Sequence, residues 1–211
     1  MSYICVKHCY MENGNEMENR IIKAAKDVFL DKGYEGTNMS LIAEAAGIAR
    51  PALYYYYRSK DRIYAAVFGS ILHSFIPSVI DVLNSDEAVD KRIDKFVSLY
   101  FEQIKREPRL PLFLVREIQR DPEFLLKTAL NENADKVLKE FMAFYKRERE
   151  KGTIKELPPY SMIFTFLGQI FFPFLARPLF EKVFPEQDFG EIIEGWKHYV
   201  SNSIKNLLLF K

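Results

Sequence analysis

Cysteine and glycine are scarce in this chain of 211 residues, and its net charge is almost zero. Two cysteines, Cys5 and Cys9, are too few and too close together for a disulfide scaffold, so the composition is typical of a cytoplasmic protein. Nine glycines argue against collagen-like and linker sequences. Since 30 lysines and arginines oppose 29 aspartates and glutamates, a strongly basic nucleic-acid coat is excluded, although a local basic patch is not.

A secretory signal is also missing from the first 17 residues, which contain no continuous apolar core of about 7–15 residues. We interpret residues 1–17 as a flexible leader, within which Met11 and Met17 are alternative translation starts. His8 lies between the two cysteines, but no second cluster of metal ligands follows downstream. The sequence therefore predicts neither a metal site nor any other cofactor.

Charge is nearly absent from residues 157–180, where Arg177 is the one ionic side chain. The length of this stretch approaches that of a bilayer span. Prolines interrupt it and no second span accompanies it, so we predict a buried or intersubunit helix and no association with a membrane. The prolines are Pro158, Pro159, Pro173 and Pro178.

Apolar residues, in contrast, make up 48% of the chain, and 18 phenylalanines and 12 tyrosines raise its aromatic share. This content is enough for a sizeable core and is compatible with an aromatic-lined cavity. Most apolar residues recur with the 3.6-residue period of a helix, and alternating strand patterns are essentially missing. We predict an all-α chain with a small N-terminal domain at 18–63 and a larger helical domain at 64–211.

Residues 33–60 contain a helix-turn-helix pattern, and the motif itself covers about 38–57. Thr37 or Asn38 can cap the first helix, and Gly47 permits the sharp turn that follows it. Pro51 suits the first turn of the second helix, where its missing N–H costs nothing. This succession of helix, glycine turn and helix is typical of DNA-binding domains.

The second helix of this motif carries groups that are suited to DNA. Arg50 lies at its start, Tyr54 and Tyr55 offer hydroxyl groups, and basic residues follow its end. Residues 48–62 have a local net charge of +3, which the near-neutral total conceals. Phosphate contacts need such a patch, because counterion release supplies much of the affinity. A three-helix domain with a surface-exposed basic turn is the plain structural alternative.

Residues 18–68 resemble the N-terminal domain of the TetR family of bacterial transcriptional regulators. The resemblance rests on Gly33-Tyr34, Thr37-Asn38, Ile42-Ala43, Ala46-Gly47-Ile48, the run Leu53-Tyr54-Tyr55-Tyr56-Tyr57, and Ser59-Lys60-Asp61. Three positions depart from the family pattern: Ala49 replaces the usual serine or threonine, Pro51 a frequent glycine, and Tyr57 the usual phenylalanine.

The resemblance implies a three-helix DNA-binding domain, then a helical domain with an effector cavity, and a homodimer built from the last two helices. It also implies a repressor that binds a double-stranded, (pseudo)palindromic operator and is released by a small ligand. Carried over to this sequence, the DNA-binding residues are Asn38, Met39, Ala49, Arg50, Pro51, Ala52, Tyr54, Tyr55 and Lys60. The segment Ala49–Ala52 is expected to face the major groove, and Tyr54 and Lys60 are expected to contact phosphates.

Aromatic and polar side chains on inward helical faces are the candidates for effector binding. They are Phe68, Tyr100, Phe101, Gln103, Arg116, Phe141, Tyr145 and Phe164. The expected ligand is largely apolar or aromatic, because the sequence demands neither a charge nor a metal. The dimer interface is expected at Phe166, Ile170, Trp196, Val200 and Ile204.

An enzyme is not predicted, because the sequence contains neither His-Glu-x-x-His nor Gly-x-Ser-x-Gly and its three histidines lie far apart. A helical interaction module without DNA binding is the other alternative. Failure of the protein to retain any duplex at low salt would favour either of these alternatives.

Overall fold

The computed structural model describes residues 3–131 and 134–210, with side chains over 16–131 and 135–210. Within these ranges the chain forms eleven α-helices and a single isolated β-bridge, between Ile154 and Leu209. The prediction of an all-α fold is confirmed. The helices are α1 (Tyr3–Lys32), α2 (Met39–Ala45), α3 (Arg50–Tyr56), α4 (Lys60–His73), α5 (Ile76–Asn84), α6 (Val89–Arg106), α7 (Leu110–Arg120), α8 (Pro122–Asn131), α9 (Ala134–Glu150), α10 (Pro159–Val183) and α11 (Phe189–Leu208).

The first helix begins earlier than the sequence predicted. It runs without a break from Tyr3, so most of the presumed leader is helical. The segment 3–17 contains no proline, and its one glycine, Gly14, costs only about 1 kcal/mol in helix propensity. Nothing in the segment therefore stops the helix. The flexibility of residues 1–17 stays a prediction. The side chains of Cys5, His8 and Cys9 lie outside the described residues.

The helices form two compact units. The first unit contains the chain up to Ser74 together with a segment that begins at Phe113, and the second contains Phe75–Leu112 and residues 134–210. This division differs from the predicted boundary at residue 63. The reason is aromatic packing, because the rings of Phe113 and Phe124 lie 6.0 and 5.6 Å from the ring of Tyr64 on α4.

The core of the first unit holds α1 to α4 together. Ile21, Phe29, Ile42, Leu53 and Ile63 have no exposed surface. Leu53 is the one fully buried side chain among the seven residues of α3. The short third helix is therefore anchored along one edge, and the rest of its surface remains available for contact with another molecule.

The second unit packs α5, α6, α9, α10 and α11 around one apolar core. This core includes Val79, Val97, Phe101, Ile170 and Val200, all of which are at most 1% exposed. Glycine ends α9, since Gly152 adopts a φ of 70°, which an L side chain rarely does. The unit thus has its own hydrophobic centre, as the larger domain was expected to have.

Two stretches, Lys60–Asn84 and Pro159–Val183, are long and apolar enough to cross a membrane by length and composition. The first is divided between α4 and α5, and Pro77 lies in the first turn of α5. The second contains Pro173 and Pro178 within its helix, and only 11% of its most apolar window is buried. Helix α10 therefore has an exposed apolar face that the rest of the chain leaves uncovered.

Candidate DNA interface and effector cavity

The first helix of the motif is capped by Asn38, not by Thr37. The Asn38 Oδ1 atom accepts hydrogen bonds from the backbone N–H groups of Ser40 and Leu41, both at 3.0 Å. The Thr37 hydroxyl instead donates to the Gly33 carbonyl oxygen at 2.7 Å. Met39 is 8% exposed and belongs to the core. Its side chain is thus turned away from any DNA, and only its backbone N–H remains suited to a phosphate contact.

The start of α3 is open to solvent. Gly47 forms the preceding turn with a φ of 64°, and Ala49 occupies the N-cap position without a side-chain hydrogen bond. Arg50, Pro51 and Ala52 follow with exposed side chains. The helix therefore presents one guanidinium and a flat apolar surface at its N-terminus, which is the part of a recognition helix that reads base edges.

The four consecutive tyrosines have different environments. Tyr55 is 83% exposed, whereas the Tyr54 hydroxyl accepts a hydrogen bond of 3.2 Å from the Arg50 guanidinium. Tyr57 packs inward as predicted, and its hydroxyl donates to Glu18 Oε1 at 2.8 Å. Burial and this hydrogen bond raise the pKa of Tyr57, so its hydroxyl stays protonated. Tyr54 and Tyr55 have exposed side chains and are therefore available to DNA.

Arg50→Ala is expected to weaken operator binding by about 1–3 kcal/mol and to relax specificity at one base pair. Arg50→Lys is the matched variant, because lysine keeps the positive charge and loses the bidentate geometry. We expect Arg50→Lys to bind random duplex like the wild type and to lose much of its preference for the operator. Titrations against both duplexes measure this, and unchanged selectivity in both variants would contradict a base contact.

Lys60 is engaged within the protein to an extent that the sequence did not indicate. Its Nζ atom donates to the carbonyl oxygens of Tyr34 at 2.9 Å and Thr37 at 3.1 Å. The same ammonium lies 3.9 Å from the centre of the Tyr34 ring. These two hydrogen bonds use two of the three N–H groups of the ammonium. Lys60 therefore fastens the turn between α1 and α2, and its contact with phosphate stays a prediction.

Lys60→Ala is consequently expected to destabilise the folded protein as well as to weaken DNA binding. Losing two charge-assisted hydrogen bonds at a half-buried position costs about 1–2 kcal/mol. Losing one phosphate contact lowers the slope of log affinity against log salt by about one unit for every duplex. Arg62→Ala is the control for stability, because the Arg62 side chain is exposed. Urea unfolding and salt titrations separate the two effects, and an unchanged midpoint would refute the fastening role.

A motif with an exposed arginine and two tyrosines on its second helix, beside a basic turn, is the arrangement of a DNA-binding domain. With the separate helical unit that follows, the fold and this site define a helix-turn-helix DNA-binding protein with a second helical domain.

Comparisons with known proteins identify the family. The model of "Bacterial regulatory proteins, tetR family" matches residues 21–67. The HTH-type transcriptional regulator RutR of Escherichia coli K12 is 28% identical over 145 residues, which span 68% of this chain and 67% of RutR. The HTH-type transcriptional activator FasR of Mycolicibacterium smegmatis is 29% identical over 93 residues, or 44% of this chain and 42% of FasR.

A solved structure supports the fold over nearly the whole length. The crystal structure of a TetR family transcription regulator from Marinobacter aquaeolei has a TM-score of 0.69 and 18% identity, covering 95% of this chain and all of that one. The N-terminal domain, at residues 21–67, is that of the tetR family of bacterial regulatory proteins, and the chain is a DNA-binding transcriptional regulator.

The second unit contains a cavity of about 310 Å³ with mostly apolar walls. This volume lies at the lower end of the range of small-molecule sites. The polar residues in its wall are Arg92, Tyr100 and Thr165. Its apolar lining includes Val79, Leu83, Ile93, Phe96, Val97, Val137, Phe141, Phe144, Met162, Phe166, Leu167, Ile204, Leu207 and Leu208.

Most of the predicted effector residues lie outside this cavity wall. Tyr100 and Phe141 belong to it, but Phe68 and Phe101 are buried in the cores of the first and second units. Tyr145 is held by Leu157, whose carbonyl oxygen lies 2.5 Å from the Tyr145 hydroxyl. The other three predicted residues also lie outside the wall of this cavity: Gln103 does not line it, Arg116 is exposed in the first unit, and Phe164 is 72% exposed.

Arg92, which the sequence analysis missed, is the one charged residue in the cavity wall. It is 5% exposed, its Nε atom donates to the Val82 carbonyl at 3.1 Å, and its Nη2 atom donates to the Leu83 carbonyl. The Glu148 carboxylate lies 3.6 Å from it, and the Phe144 ring centre lies 4.3 Å away. The sequence did contain a signal for this residue. The apolar residues around Arg92 have helical periodicity, and that periodicity places the arginine on the inward face of α6.

Glu148 receives several further donors. The Thr153 hydroxyl lies 2.8 Å, Lys151 Nζ 3.1 Å and Arg147 Nε 3.3 Å from its carboxylate oxygens. Burial by itself raises the pKa of Glu148, but these hydrogen bonds outweigh it and hold the pKa below its usual value. The carboxylate is therefore ionised at neutral pH and compensates the buried guanidinium of Arg92.

The residues predicted for the dimer interface are mostly engaged within the chain itself. Phe166 and Ile204 line the cavity, and Ile170 and Val200 are fully buried. Trp196 is half-buried, and its Nε1 atom donates to the Gln169 carbonyl oxygen at 2.8 Å. Helix α10 is apolar on all sides, so its period could not distinguish the inner face from the outer one. The outer face is an exposed stripe formed by Tyr160, Phe164, Gly168, Phe172, Leu179 and Val183.

Proposed function

We propose that the protein is a homodimeric, cytoplasmic repressor that is released from a palindromic operator when a small, largely apolar ligand enters the cavity. The observation that carries this proposal is the exposed N-terminus of α3, with Arg50 at its first position and one buried residue anchoring the helix. The cavity of about 310 Å³ in the second unit is the proposed binding site for this ligand. Relatives named transcriptional regulators support the DNA-binding part.

The exposed stripe of α10 supports the homodimer. Its aromatic and aliphatic side chains are 57–72% exposed, and monomeric proteins rarely expose such a continuous apolar patch. A second copy of the chain is the proposed cover, because Pro173 and Pro178 and the ion pair of Arg177 with Glu181 suit a bilayer poorly. A twofold axis is also needed if two recognition helices are to reach successive major grooves, which lie about 34–36 Å apart.

The response to a ligand follows from linkage. A ligand that favours the form with lower DNA affinity weakens operator binding, and the operator weakens ligand binding by the same factor, typically about 5–150-fold. Repression is the proposed sign of regulation, although the relative FasR is named an activator. In either case the ligand acts by changing the occupancy of the operator.

The test begins with selection of bound sites from a random DNA pool, followed by a thermal-shift screen of small apolar compounds. Hits are titrated into the protein–operator complex while fluorescence anisotropy reports bound DNA. We expect hits to release the operator and to bind the free protein more tightly than the complex. A compound that occupies the cavity and leaves operator affinity unchanged would contradict the proposed response.

A further inference from the structure

Tyr100 is, with Arg92 and Thr165, one of the three polar residues in the wall of the mostly apolar cavity. Its ring is fixed by three phenylalanines of the same unit, Phe75, Phe96 and Phe166, with ring centres 4.4, 5.0 and 4.7 Å away. Rings packed on several sides leave the side chain little freedom to turn its hydroxyl elsewhere. The position of this polar group is therefore set before any ligand arrives.

The Tyr100 hydroxyl has no hydrogen-bond partner among residues 16–131 and 135–210, unlike Tyr57 and Tyr145. Burial alone raises the pKa of Tyr100, so the group stays protonated and remains a donor at neutral pH. Tyr100 is half-buried, so a ligand that covered its hydroxyl without accepting its hydrogen bond would leave a donor unpaired, which is unfavourable. A ligand atom that accepts this hydrogen bond avoids that cost.

Arg92, the charged residue of the cavity wall, is already committed. It donates to the carbonyl groups of Val82 and Leu83, and Glu148 balances its charge. An anionic ligand would have to compete with the buried Glu148 carboxylate, and a cationic one would meet the guanidinium. Either charge would also have to leave water for apolar walls.

We propose that the ligand is an uncharged molecule with a mainly hydrocarbon body and one acceptor oxygen, a carbonyl or an ether, to which the Tyr100 hydroxyl donates. This inference rests on the proposed function, because it defines the ligand of the same cavity. The hydrocarbon part fills the apolar lining, and Tyr100 selects for the oxygen and fixes the orientation of the molecule.

Two nearly isosteric probes test the hydrogen bond: nonan-2-one and 2-methylnon-1-ene, in which CH₂ replaces the carbonyl oxygen. Their affinities for the wild type and for Tyr100→Phe are compared by calorimetry. The ketone is expected to bind Tyr100→Phe about tenfold more weakly than the wild type, while the alkene binds both proteins equally. Equal binding of the ketone to both proteins would overturn the proposal. Binding of the alkene also shows that the cavity of the variant is intact.

The control variant is Tyr145→Phe, which removes a buried hydroxyl that is bonded to Leu157 and lies outside the cavity wall. It is expected to lower stability and to leave both affinities unchanged. Nonanoate tests charge in the wild type alone, and we expect it to bind at least about tenfold more weakly than the ketone. Tighter binding of nonanoate would overturn the proposal. Failure of the bound ketone to release the operator would instead refute the proposed function and leave the hydrogen bond standing.

Discussion

Phe164→Glu is expected to be monomeric at micromolar concentration and to lose specific operator binding at the same time. Phe164 is 72% exposed in the single subunit, so the introduced glutamate meets water in the monomer but would be buried in the proposed dimer. Burial of an unpaired carboxylate costs about 3–5 kcal/mol, which weakens the dimer about a hundredfold or more. Sedimentation velocity and operator titration on the same samples measure both effects.

Leu126→Glu is the matched control, because Leu126 is 60% exposed on α8 and lies outside the exposed stripe of α10. It is expected to remain dimeric and to bind the operator normally. Gly168→Leu is a second test of the interface. A Cβ atom added at Gly168 would have no neighbouring atom within 4 Å in the single chain. The monomer can hold the new side chain, but a closely approaching partner helix cannot. A stable dimer of Phe164→Glu would contradict the proposed interface.

Glu148→Gln is expected to lower the free energy of unfolding by about 3–5 kcal/mol at neutral pH. The substitution leaves the Arg92 guanidinium buried, at 5% exposure, without a compensating carboxylate. Glu150→Gln is the control, because its carboxylate is exposed and lies 4.0 Å from Lys146. Such surface pairs contribute little. Urea unfolding at pH 7 compares the two variants with the wild type.

The same carboxylate predicts a dependence of stability on pH. The folded protein holds the pKa of Glu148 below its usual 4.5, so its stabilising contribution is complete above that value. The contribution is lost as the pH falls through the lower folded pKa. Between about pH 5 and 3 the wild type should therefore lose more stability than Glu148→Gln. Parallel pH dependence of the two proteins would show that the carboxylate does not compensate Arg92.

The helical fold and the DNA-binding motif were predictable because their signals are local. A period of 3.6 residues, the Gly47 turn and Pro51 in the first turn of α3 are properties of short segments. The structure places these elements as the sequence indicated, and Asn38 resolves the choice of cap in favour of one of the two candidates. These features are determined by short segments of sequence and do not depend on contacts with distant parts of the chain.

Features that depend on contacts between distant segments were not predictable. The carbonyl partners of Lys60 come from a turn more than 20 residues earlier. The phenylalanines that extend the first unit come from a segment that starts about 50 residues after α4 begins. Periodicity assigns a residue to a helix face, but it does not say which neighbour covers that face.

The predicted effector and dimer residues show the same limit. On a helix that is apolar on all sides, the sequence does not distinguish the buried face from the exposed one. Phe164 and Phe166 are both large and apolar, yet Phe164 is solvent-exposed and Phe166 lines the cavity. Arg92 illustrates the opposite error, because a charged residue is normally expected on the surface unless it is paired. Its partners lie on α5 and α9, and only the folded chain brings them together.

The central claim is that a dimer of this chain recognises one operator through α3. The most direct measurement is selection of duplexes from a random pool by the wild-type protein, followed by titration of the enriched duplex at several salt concentrations. The account predicts an enriched site with two symmetric half-sites, two protomers per duplex, and an affinity about 10³–10⁷ times that for random DNA. A pool without enrichment, together with equal affinity for every duplex at every salt concentration, would contradict it.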